Sequence, residues 1–247
     1  RNFRLQPADL DDSGLQFTLL SDSLNKISWM QGEDVLFMGT LGGEFSVDSG
    51  NAAEAITPSN VRVRKRSSYG SLSGVQPKSF ESSLLFVRRN LEVREIRFDS
   101  DTDRFVAPDL TQFSHNILAP GVVEMVTMAD PLSQIMFLLE DGTVRQLTFS
   151  SVEDVIGWSK FEYGGADAKV VSIAAIPNAA LDEDELWMIV DRTVDGITRT
   201  YIDLQQRYFD NGDSLDTAFF LDSAIEFNFD PPENNLFGLN HLGDVQV

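Results

Sequence analysis

A short apolar pattern returns about every fifty residues along this chain, and no other feature restricts its fold as strongly. The copies read Asp34-Val-Leu-Phe-Met-Gly39, Ser83-Leu-Leu-Phe-Val-Arg88, Gln134-Ile-Met-Phe-Leu-Leu139 and Glu185-Leu-Trp-Met-Ile-Val190. Aligned on Phe37, Phe86, Phe137 and Met188, they are 49, 51 and 51 residues apart. Each copy is followed by a turn and a second strand, and a constant period of this size marks a repeat architecture. Strand-built repeats of this length predict an all-β, β-propeller-like fold, in which each blade is an antiparallel sheet of about four strands.

The intervening text supports this reading. Ile27–Met30, Val35–Gly39 and Glu44–Val47 form a meander joined by tight, glycine-bearing turns. Residues 48–60 lack alternation and read as a connector, after which Val61–Arg64 alternates apolar and polar at period two. The Ser/Gly-rich stretch Ser67–Gly74 reads as an exposed loop, and Ser83–Val87 with Glu92–Phe98 repeats the hairpin. The third copy is the clearest: Val122–Met128, Ile135–Leu139 and Val144–Phe149, with Asp141-Gly142 as a strong hairpin turn. The fourth has Val170–Ile176, an acidic loop Asp182–Glu185, then Leu186–Val190, a turn over Asp191–Gly196, and Ile197–Leu204. Short strands are also expected at Phe17–Leu20 and Ala224–Phe229, with turns at Asp11–Gly14 and Asp210–Asp213. One short helix or turn is expected over Asp109–Leu118, where positions 110, 113, 117 and 118 form an apolar stripe ended by Pro120 and Gly121. Residues of about 15–205 thus form a propeller-like region with four repeats, and 206–247 starts a following β segment. The start without Met, with strand-like text already by Phe17, and the mid-pattern stop suggest that 1–247 is a fragment of a larger protein.

Composition narrows the function classes. With 42% apolar residues and 18 Phe the chain can bury a sizeable core. The absence of cysteine removes disulfides and thiolate metal sites. No apolar run approaches the ~20 residues of a membrane helix. Thirty-nine acidic against 19 basic residues give a net charge of −20, which opposes direct wrapping of nucleic acid. The cations cluster, at Arg62, Arg64, Lys65 and Arg66 and again at Arg88, Arg89, Arg94 and Arg97. Either cluster could hold an acidic partner or touch phosphate; equally, both could be solvated faces of alternating strands.

No catalytic, cofactor-binding or metal-binding residue stands out. The two histidines, His115 and His241, lack a nucleophile elbow or a His-Glu-x-x-His partner, and His115 reads as a hydrogen-bonded structural residue. Asp99, Asp101 and Asp103 occupy calcium-loop positions 1, 3 and 5, but Arg104 stands where glycine is needed and Leu110 where the closing Glu belongs. No pair among the 39 carboxylates is singled out for glycoside chemistry. The expectation is a non-enzyme without cofactors.

The order of short motifs carries a resemblance. Ile27-Ser-Trp29, Ile56-Thr-Pro58, Ser68-Tyr-Gly70, Leu85-Phe-Val87, Val93-Arg-Glu95, Asp109-Leu-Thr111 with His115, Asp141-Gly-Thr143, Leu147-Thr-Phe149, Trp158 and Gly238-Leu-Asn-His-Leu242 follow one another over most of the chain. In this order and spacing the chain resembles the tail nozzle proteins of short-tailed bacteriophages, also called tail tubular protein B. The resemblance implies a virion structural protein, assembled in the host cytoplasm into a hexameric nozzle for genome exit. It implies contacts with the portal adaptor and with tail fibre or spike proteins, no membrane, and genomic DNA passing without specific binding. The competing expectation is a propeller enzyme or carbohydrate-binding propeller with a site built from loops at one mouth.

Overall fold

The computed structural model describes residues 26–209, apart from Ala52, Ala166 and Asp195, together with residues 14–16, 212, 214, 215 and 224. The strands expected at Phe17–Leu20 and Ala224–Phe229, the turns at Asp11–Gly14 and Asp210–Asp213, and His241 lie wholly or almost wholly outside the described residues. Within them the protein is all-β, with almost no helix and four antiparallel sheets. No described helix is long and apolar enough to cross a membrane. The chain divides into two compact units, Arg1–Ala119 and Pro120–Val247.

The first unit holds two sheets. One contains β1 (Ile27–Gly32), β2 (Leu36–Thr40), β3 (Gly43–Asp48) and β4 (Arg62–Ser67), hydrogen-bonded in that order. The other contains β5 (Lys78–Phe80), β6 (Ser83–Val87), β7 (Val93–Asp99) and β8 (Arg104–Val106), again in chain order. Their facing surfaces meet in a buried cluster of Trp29, Phe37, Leu84, Phe86 and Ile96. The opposite surface of the first sheet buries Met38, Phe45 and Val47. Because β2 and β6 are covered on both faces, they read as continuous apolar runs rather than as alternating ones.

The second unit repeats the arrangement. β9 (Val122–Met128), β10 (Gln134–Leu139), β11 (Val144–Ser150) and β12 (Val155–Phe161) form a meander, and β13 (Lys169–Asn178), β14 (Glu183–Val194) and β15 (Ile197–Leu204) form a three-stranded one. Met136 and Leu138 of β10 pack with Ile173, Leu186, Met188 and Val190 of the neighbouring sheet. A polar strut joins these two sheets: the Glu124 carboxylate accepts the Ile173 amide at 2.9 Å and the Ser172 hydroxyl at 3.1 Å. The Asp184 carboxylate likewise accepts the Ala129 amide at 2.6 Å, tying the start of β14 to the β9–β10 turn.

Several expectations need correction. Of the helix or turn expected over Asp109–Leu118 it is the turn that forms, a run of them with three-residue closures such as the Ile117 amide on the Ser114 carbonyl at 2.9 Å. Asp109 caps this run, accepting the Thr111 amide at 2.8 Å, and Phe113 of the supposed apolar stripe is 96% exposed. The Ser67–Gly74 stretch is not wholly exposed, because Gly70 and Ser71 are buried. Glu183–Glu185 belong to β14 rather than to a loop, and β14 runs on to Val194, through most of the expected Asp191–Gly196 turn. Three strands went unread: β5 and β8 have only three residues each, and β12 is mostly exposed.

Candidate functional site

The two arginine clusters of the sequence meet in the first unit. A cleft of about 750 Å³ opens between β4 and the β7–β8 hairpin, lined by Arg66, Arg94, Arg97 and Arg104 with Tyr69 and Phe105 among its walls. Asp99 is the one acidic residue in the lining. Ten Lys and Arg against six Asp and Glu fall in residues 62–104, a net of +4, so the rest of this −20 chain carries −24.

The walls are held by their own chemistry. Glu44 of β3 is fully buried and accepts the Ser71 hydroxyl at 2.8 Å and the Ser67 hydroxyl. Burial raises its pKa, with hydrogen bonds from Ser67, Ser71 and the Tyr69 and Gly70 backbone opposing. This carboxyl pins the segment that carries Ser67, Ser68 and Tyr69 along the cleft. Arg94 clamps the other side: its guanidinium lies 3.6 Å from the Tyr69 ring centre and donates to the Ala107 carbonyl at 2.7 Å and to Glu92 at 2.8 Å. Glu92 also accepts from Arg88 at 2.9 Å and from Asn90. Burial works against its ionisation, but the hydrogen bonds from Arg88, Asn90 and Arg94 outweigh it and lower its pKa to about 2.

The remaining cations are less committed. Arg66 stacks 4.8 Å from the Phe105 ring centre and gives its Nε to Ser46 Oγ at 2.7 Å, while its carboxylate neighbour Asp48 is 3.8 Å away. Burial, then the charge of Arg64, hold its guanidinium below the usual arginine range against the pull of Asp48. Arg97 is half exposed and reaches Glu95 at 3.5 Å. Arg104 is exposed and, among the described residues, forms no ion pair.

Other candidate residues are not drawn together. His115 is exposed at a turn and, among the described residues, makes no hydrogen bond, so it is not the hydrogen-bonded structural residue expected. Asp99 closes the β7–β8 turn by accepting the Asp101 amide at 3.0 Å and the Thr102 hydroxyl at 2.8 Å. These bonds hold its pKa below the usual range. Among the described residues no three His, Asp or Glu side chains are grouped to hold a metal ion. Of the acidic loop, Asp184 and Glu185 are engaged internally, Glu185 accepting from Asn178 at 2.6 Å and Trp187 at 2.9 Å.

Sequence reasoning missed Arg104, Tyr69, Phe105 and Glu44 as parts of this site. Arg104 was weighed only as an obstacle to a calcium loop. A Glu directly after a glycine turn and before an apolar strand carried no sign that it would point inward.

No family model matches the chain, and no curated protein matches it either.

Proposed function

We propose that this chain is a structural part of the tail nozzle of a short-tailed phage, with its sheets serving as successive blades of a propeller beside the genome channel. One observation carries the reading. Each sequence repeat becomes one antiparallel meander in chain order, with the repeated apolar text on the second strand each time: β2, β6, β10 and β14. Ordered meanders of this kind are the building plan of propellers, and the ordered motifs from Ile27 to Trp158 resemble those of the nozzle family.

In this reading the full-length protein forms a six-membered ring, meets the portal adaptor above and fibre or spike proteins below, and does no enzymatic work. A surface of strong negative charge lets DNA slide, because phosphates find few sites at which counterions can be released. The isolated chain should therefore bind duplex DNA more weakly than the ~10⁻⁴–10⁻⁶ M of non-specific binders, and light scattering of the full-length protein should give a hexamer. Micromolar DNA affinity, or hydrolytic turnover abolished by His115→Ala, would instead favour a propeller with a working site.

A further inference from the structure

We infer that the arginine cleft of the first unit is a docking site for carboxylate side chains presented by the acidic second unit of another copy of this chain. The charges are complementary across the molecule. Residues 62–104 carry a net +4, whereas residues 120–209 hold 15 Asp and Glu against six Lys and Arg, a net of −9. At physiological salt, fields fade over ~8 Å, so local patches rather than total charge decide what approaches. Two copies can meet plus to minus although each is strongly acidic.

The cleft suits a carboxylate in particular. Arg94 is consumed in holding Tyr69, Glu92 and Ala107, and so forms a wall. Arg104 is exposed without an ion pair among the described residues, Arg97 is half exposed, and Arg66 is fixed against Phe105 with its carboxylate neighbour at 3.8 Å. Guanidinium forks held in place by ring stacking recognise carboxylates in paired hydrogen bonds at low ordering cost. A nucleic acid is the poorer occupant: it brings a charge every ~1.7 Å of duplex into a region flanked by Asp99, Asp101 and Asp103. About 750 Å³ also admits a few side chains rather than a duplex. The inference rests on this charge distribution and not on the virion reading, although a head-to-tail contact between unlike patches is the kind that closes rings.

Sedimentation velocity of the chain over a concentration series, at about 0.15 M and about 0.5 M salt, tests it. Self-association should appear at low salt and weaken at high salt. Arg104→Glu should weaken it about tenfold and Arg104→Gln by less, since a charge at the edge of a contact governs its strength and salt dependence. Arg104 is exposed, so both variants should keep the wild-type melting temperature. Lys26→Glu makes the same charge change outside the cleft and should leave association unaltered. A chain that stays monomeric throughout, equal losses in Lys26→Glu and Arg104→Glu, or Arg104-dependent capture of duplex DNA without self-association would each overturn the proposal.

Discussion

Single carboxyl groups decide how the first unit is put together. Glu44 satisfies two hydroxyls and two backbone amides from inside the protein, so its replacement by an apolar residue strands those donors. Glu44→Leu should cost at least ~2 kcal/mol in urea unfolding, with Glu44→Gln costing less because it keeps an acceptor. Equal stability of the leucine variant and the wild type would show that the Glu44 hydrogen bonds carry nothing. Glu92 makes a prediction with a sign. A carboxyl whose pKa is lowered from 4.5 to about 2 contributes stability that is complete above the unfolded value and is lost as pH falls through about 2. The wild type should thus lose stability between those two values more steeply than Glu92→Gln, read from the urea midpoint at each pH. Parallel curves would contradict it. Glu44 was not legible as a partner in the sequence, since a Glu in a strand ordinarily faces solvent and its donors Ser67 and Ser71 come from a distant segment, whereas Glu92 lies just before β7 beside its own donors Arg88, Asn90 and Arg94.

Strands were legible wherever the apolar text was long, and less so in phase. Phe37, Phe86, Phe137 and Met188 are all buried, at 4%, 0%, 0% and 5% exposure, on the second strand of their sheets. They do not all project alike. Phe37 points to the sheet that follows it and Phe86 to the sheet that precedes it, meeting in one cluster. In the second unit Met188 meets Met136 and Leu138, while Phe137 on the opposite face packs against Trp158 at 5.2 Å. Strands buried on both faces offer apolar residues at every position, so a one-residue shift in the alignment is invisible in the text yet reverses the face. Phe137→Ala should still cost ~3–5 kcal/mol as a core cavity, measured by urea unfolding, and a loss below ~1 kcal/mol would count against its burial. The turn after it was read correctly from Asp141-Gly142. Gly142 adopts a φ of 81°, and a Cβ there would meet the Lys169 Cβ at 2.8 Å. Gly142→Ala should therefore lose ~1–2 kcal/mol from the left-handed backbone alone, with more from the contact. A neutral substitution would mean that the turn relaxes freely.

At the scale of the molecule, repetition was the most legible property and the binding surface the least. Four copies of one apolar pattern announced four meanders, because each repeat needs its own turns and its own buried middle strand. The cleft depended on pairing that text cannot display: Arg66 and Arg104 are 38 positions apart and share a wall only once β4 and β8 are neighbours. The central claim is that these meanders are blades of a virion nozzle, and imaging the intact parent particle by electron cryo-microscopy tests it most directly. The account predicts six copies around the genome channel below the portal, each contributing successive antiparallel sheets in the order from β1 to β15. A particle without this chain in its tail, or a map in which its sheets do not follow one another as blades, would contradict it.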